Sequence, residues 1–170
     1  MQLADYFQGL AHYHAWATRQ LLDRHLALLL DTEWRAERRL FFGSIHRTLN
    51  HLLVAENIWW GRVAENHSRP IALDTELHEG RDELCKALLL ATQRWSGWLS
   101  TIDSARWDGD LAYTRNNGEA VRIPFAPTLG HVFNHGTHHR GQITAALTAM
   151  GKPAPELDWV YLLQQEARSK

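Results

Sequence analysis

Apolar residues recur every three or four positions along most of the chain, the period of an amphipathic helix. Tyr6, Leu10, Tyr13, Ala17 and Leu21 form one such stripe and predict a first helix over about 5–30. Ser44 offers an N-cap oxygen for a second helix reaching about 65, with Ile45, Leu49, Leu52, Leu53, Ile58 and Trp59 turned inward. The stretch 67–74 holds Pro70 and predicts a loop. A third helix is expected over about 76–102, carried by Leu84, Leu88, Ala91, Trp95, Trp98 and Leu99. The period then changes. Residues 111–123 alternate around Asn117-Gly118, a pair that tolerates the positive φ values of a type I′ turn, so a short hairpin is expected. Pro127 and Thr128 open a fourth helix ending near 150, with Gly151 past its end and Pro153 and Pro155 barring continuation. A short last helix is expected over 158–167. Together these elements predict an all-α fold: a four-helix bundle with a short β-hairpin before the fourth helix and a short C-terminal helix, in one domain over 1–170.

Composition narrows the setting. A chain of 170 residues can bury a full core without staples. Its 18 basic and 19 acidic residues leave a net charge of −1, which argues against nucleic acid or an anionic membrane as the main partner. The one cysteine, Cys85, excludes an intrachain disulfide and reads as a small core residue. No basic stretch leads into an apolar core at the start, and no apolar run approaches membrane-spanning length, so a cytoplasmic protein is expected. Trp59, Trp60, Trp95 and Trp98 fall at helical spacing and are read first as core or dimer-interface residues, with pocket lining as the sharper alternative.

Candidate chemistry concentrates in the fourth helix, where His131, His135, His138 and His139 stand within nine residues. Histidines four apart share a helix face, so one metal ion can be reached by both. Two such pairs exist, His131/His135 and His135/His139, and spacing alone leaves the choice open. His131 falls near the first turn, where helices fray, so the middle pair is better fixed. A third donor is needed, and His51, mid-way along the second helix, is the best placed, with His46 as its competitor. Glu56 lies about 140° round that helix from His51 and is expected to face away from a metal. Arg140 is read as a solvated side chain. Gly130, Gly136 and Gly141 cost up to ~1 kcal/mol each in a helix interior, so close packing or room beside a metal is expected there.

Three segments carry a resemblance: Ser44-Ile-His-Arg-Thr-Leu-Asn-His-Leu-Leu-Val-Ala-Glu-Asn-Ile-Trp59, His131-Val-Phe-Asn-His-Gly-Thr-His-His-Arg-Gly-Gln142 and Pro155-Glu-Leu-Asp-Trp-Val-Tyr161. On these the chain resembles the DinB family over essentially its whole length. The resemblance implies a four-helix bundle, commonly a homodimer, with a divalent metal held by three histidines. Carried over residue by residue, those ligands fall on His51, His135 and His139, leaving His131 and His138 outside the set. Glu56 stands where aspartate is usual, Gly136 where a longer polar residue is common, and His14 and Thr18 where asparagine is usual. These departures leave the three histidines intact and bear on the pocket.

Three imidazoles around a divalent ion, zinc or nickel, leave a coordination position open, the catalytic rather than the structural arrangement. The expected function is therefore that of a metal-dependent enzyme, a hydrolase using metal-bound water. The alternatives are a low-molecular-weight-thiol S-transferase or isomerase, since a bound thiol is deprotonated by such an ion, or a non-catalytic metal-binding stress-response dimer. Asn50, Asn134 and Gln142 are candidates for orienting the ligand rings.

Overall fold

A computed structural model describes residues 2–68 and 70–169. Arg69, within the expected loop, and residues 1 and 170, the ends of the expected domain, lie outside the described residues. Four long helices form the bundle: α1 (Leu3–Gln20), α3 (Ile45–Ala64), α4 (Arg81–Leu99) and α5 (Phe125–Ala149). A short α2 (Asp31–Arg35), not foreseen in the sequence, precedes α3, and α6 (Trp159–Arg168) closes the chain. In the bundle α1 packs on α4 and α5, and α3 packs on α4 and α5, so α1 stands diagonally from α3. The antiparallel strands β1 (Asp110–Thr114) and β2 (Ala120–Pro124) form the expected hairpin between α4 and α5. Among the described residues, no helix is long and apolar enough to cross a membrane.

Several boundaries differ from expectation, each for a tertiary reason. Regular α-helix stops at Gln20, and the chain continues through a π-helical turn (Leu21–His25) and a 3₁₀ turn (Leu26–Leu28). That rewinding lets Leu21, Leu22, Leu26 and Leu29 all enter the core. Arg81, lying 4.7 Å over the Trp34 ring, donates to the carbonyls of Leu26 and Leu29 at the end of the loosened turns. The third long helix begins at Arg81 rather than 76 because 76–80 has better partners elsewhere. Asn50 donates to the His78 carbonyl and accepts from the His78 amide, both at 3.0 Å, and Arg47 pairs with Glu76 at 2.9 Å. The last long helix starts two residues early, at Phe125, with Pro127 still within its first turn, where a missing N–H is harmless. His131 therefore sits in the second turn and not at a frayed end. The hairpin turn is not type I′. Only Gly118 takes a positive φ, +85°, whereas I′ needs two such residues. The Gly118 amide donates to the Arg115 carbonyl and the Arg115 amide to the Glu119 carbonyl, the pattern of a three-residue loop closed by a glycine bulge.

The core has two large apolar clusters with a polar layer between them, and a small third one where Tyr13 and Ala17 meet Leu162 of α6. One end packs Leu21, Leu49, Leu53, Leu88, Ile143 and Leu147; the other packs Phe7, Trp95, Leu99, Phe125, Leu129 and Phe133. On α1 the stripe is Phe7, Ala11, His14 and Thr18, beside Tyr13 and Ala17. The sequence-read stripe included Tyr6, which is exposed, and missed His14 and Thr18 because they are polar. Cys85 is half-buried against the first cluster.

Inside the layer, His14 Nε2 donates to Glu56 Oε1 at 2.8 Å and Trp95 Nε1 to Glu56 Oε2 at 2.6 Å. Arg140 donates to His14 Nδ1 at 3.0 Å. The Arg140 guanidinium thus fixes the neutral tautomer of His14, and the histidine links a buried cation to a buried anion. Burial is also what lowers the His14 pKa, ahead of the opposing pull from Glu56. Arg140 is only 2% exposed, which corrects its reading as solvated.

Gly136 makes room for this layer. A Cβ there would meet His14 Cε1, lie 2.8 Å from His14 Nδ1 and 3.0 Å from the Arg140 guanidinium, whereas one at Gly141 would meet nothing within 4 Å. The two glycines should therefore respond oppositely to alanine. Gly136→Ala is expected to destabilise by about 1–3 kcal/mol despite its better helix propensity, and Gly141→Ala to stabilise by up to ~1 kcal/mol. Urea denaturation of both variants checks this; equal stabilisation would show that the layer does not need the gap.

Candidate metal centre

α3 and α5 face each other with His51 opposite the His135/His139 pair. His135 Nε2 lies 3.1 Å from both His51 Nε2 and His139 Nε2. Tetrahedral zinc with bonds near 2.0–2.1 Å separates its nitrogens by about 3.3 Å, so the spacing suits a common ion. Among the described residues, these three form the one group of metal-ligating side chains whose donor atoms all lie within 4.8 Å of one another. The site is half open: His51 and His139 are buried and His135 is partly exposed.

Two rings are oriented by hydrogen bonds that determine which nitrogen is bare. His51 Nδ1 donates to the Leu73 carbonyl at 2.8 Å, and His139 Nδ1 donates to Gln142 Oε1 at 2.8 Å. In the neutral ring each leaves Nε2 as a lone pair aimed at the third imidazole. Gln142 in turn donates from Nε2 to His138 Nε2 at 3.3 Å, which holds the amide the right way round. Phe42 stacks on His51 with ring centroids 3.8 Å apart and closes one flank.

Of the expected ring-orienting residues, Gln142 takes that role. Asn50 instead ties down the segment before α4, and Asn134 is exposed. The Leu73 carbonyl was missed, since a backbone acceptor in an irregular segment carries no residue-type signal. His46 is buried and donates from Nε2 to the His78 carbonyl at 3.1 Å, apart from the three. His131 faces the ring of Trp59 at 5.2 Å between centroids. Glu56 is not free to act on a metal, because both its oxygens are engaged in the polar layer. That agrees with its expected orientation, though its burial was not foreseen.

Beside His51 and His135 opens a cavity of about 430 Å³, walled by Ile58, Trp59 and His131 and roofed by Tyr113 of the hairpin. Trp59 thus lines this cavity and Trp60 a separate one, while Trp95 is fully buried in the core. The hairpin is fastened over the cavity by Asn116, which donates to the Ile71 carbonyl at 2.7 Å.

Burial lowers the pKa of all three imidazoles, His135 to about 3 and His139 to about 4, and for those two the neighbouring rings add like-charge repulsion. The sign of the resulting pH dependence follows from linkage. Above the ordinary histidine pKa of 6.5 folded and unfolded chains are both neutral here. As pH falls below it, the unfolded chain takes up protons that the folded chain refuses. Metal-free protein should therefore lose stability progressively from pH 6.5 towards 4. Denaturation midpoints across that window should fall more gently in the His135→Ala/His139→Ala double variant than in the wild type. Identical slopes would contradict the assignment of buried neutral rings.

Comparison with known proteins gives a consistent picture. The model of the DinB family matches residues 3–169. Protein DinB of Bacillus subtilis (strain 168) is 27% identical over 168 residues, covering 94% of this chain and 95% of that protein. Among solved structures, YfiT from Bacillus subtilis, described as a probable metal-dependent hydrolase with an unusual four-helix bundle topology, aligns with a TM-score of 0.67 at 16% identity, over 87% of each chain. That last likeness concerns the fold, and it agrees with the bundle described above. With the family match reaching all but the terminal residues, the chain belongs to the DinB family.

Proposed function

We propose that this protein is a metal-dependent hydrolase whose divalent ion, zinc or nickel, is held by His51, His135 and His139 through Nε2. The observation that carries the reading is the convergence of three imidazole nitrogens, two of them bared by hydrogen bonds at Nδ1, beside a cavity of substrate size. A donor set of three neutral imidazoles suits zinc or nickel better than magnesium or calcium, which favour oxygen. When bound, such an ion would polarise a carbonyl and lower the pKa of a coordinated water towards about 7.

The chain's own residues supply the rest. The Leu73 carbonyl and Gln142 hold two rings at fixed angles, so the site is organised before the ion arrives. The depressed imidazole pKa values keep the donors unprotonated at neutral pH. Phe42 shields the His51 flank from water, and the cavity on the other side gives a small molecule access to the open face. Among the described residues no carboxylate lines that cavity, so no carboxylate base is assigned.

Chelated protein screened against small amides and esters should be inactive, regain turnover with zinc or nickel, and lose it again on His139→Ala. Gln142→Ala should retain the ion with roughly 10–100-fold weaker affinity. Turnover that survives chelation, or that requires an added thiol, would contradict the hydrolase reading.

A further inference from the structure

The cavity beside the imidazoles has a charge that the histidines do not explain. It contains two arginines, Arg62 and Arg115, and among the described residues no aspartate or glutamate lines it, although the whole chain carries a net charge of −1. Arg115 is exposed and already paired with Glu119 at 2.9 Å. Arg62 pairs with no carboxylate among the described residues. Its guanidinium lies 4.3 Å from the Tyr113 ring centroid and 5.0 Å from that of Trp59, and its Nε is buried without a hydrogen-bond partner. Aromatic faces hold a guanidinium in place without using its N–H donors. The group is therefore positioned, partly desolvated and still in need of an acceptor.

Its place on the helix gives the distance. Arg62 is eleven residues after His51, which returns it to within about 20° of the same face of α3, about 16 Å further along the axis. Ala55, Ile58 and Trp59 line the wall between them. One side of the cavity thus carries a metal-facing imidazole at one end, an apolar middle and an unpaired cation at the other.

We propose that Arg62 anchors a carboxylate at the far end of the substrate, so that the molecule turned over at the three histidines is an extended one with an apolar middle and a distal carboxylate. A carboxylate suits the site better than a phosphate. A single unpaired guanidinium offers one planar two-donor fork and one charge, and among the described residues the other arginine lining the cavity, Arg115, is already neutralised. The identity of the reacting end rests on the metal reading; the anchor rests on Arg62 alone.

Two compounds separate these. Suberic acid monohydroxamate and octanohydroxamate share a metal-seeking head and an alkyl chain, and differ only in ending on a carboxylate or a methyl group. Calorimetric titration of each into zinc-loaded full-length protein should show the carboxylate-ended compound binding about tenfold tighter or more, the worth of a charge-assisted hydrogen bond. Arg62→Gln should abolish that preference and leave octanohydroxamate affinity within about twofold of wild type. Arg62→Lys, which keeps the charge and most of the stem but loses the fork, should keep part of the preference, and it stands in if the glutamine variant does not fold. A wild-type preference below about threefold, or one that either variant retains in full, overturns the anchor. Failure of octanohydroxamate to bind counts instead against the metal reading, and the carboxylate preference still decides the role of Arg62.

Discussion

A carboxylate in the middle of a helical bundle must be compensated, because an unpaired buried charge costs several kcal/mol. Glu56 is compensated by three helices at once: His14 from α1, Trp95 from α4 and, through His14, Arg140 from α5. This layer constrains the bundle more tightly than the apolar clusters on either side of it. Apolar packing tolerates small rotations, whereas a chain of hydrogen bonds between rigid groups does not. Breaking one partner of such a buried set typically costs about 3–5 kcal/mol.

The layer also explains why the metal-ligating face is where it is. Arg140 follows His139 directly, so turning Arg140 into the core towards His14 leaves His139 and His135 facing α3. Gly136 allows the approach, since any side chain there would collide with the His14 ring. From the other side, Glu56 fixes the rotation of α3, and with it His51. Two segments outside the bundle helices then complete the site. The segment between α3 and α4 brings the Leu73 carbonyl to His51, and the hairpin roofs the cavity. Core polarity and site geometry are in this sense one arrangement.

The periodic stripes made the bundle, the hairpin and the close pairing of His135 with His139 legible in the sequence. What stayed hidden has a common physical character. Glu56, His14 and Arg140 are polar, and reading interiors from apolarity assigns them to the surface. The reading of α1 failed at the polar positions His14 and Thr18. The segment 76–80 reads as helix until one sees that Asn50 and Arg47, nearly thirty residues earlier, hold it in another shape. Arg62 carries no motif at all. Its significance comes from Trp59 one turn before it and from Tyr113 more than fifty residues later, brought together over one cavity. Local pattern specifies elements; partners distant in sequence specify where they stop and which polar groups are enclosed.

X-ray absorption on protein loaded with one equivalent of zinc or nickel addresses the three-imidazole centre itself. The geometry predicts three histidine nitrogens near 2.0–2.1 Å, completed by light oxygen or nitrogen scatterers, with one imidazole lost on substitution of His139. Sulfur in the shell, fewer than three imidazoles, or a spectrum that His139→Ala leaves unchanged would contradict it.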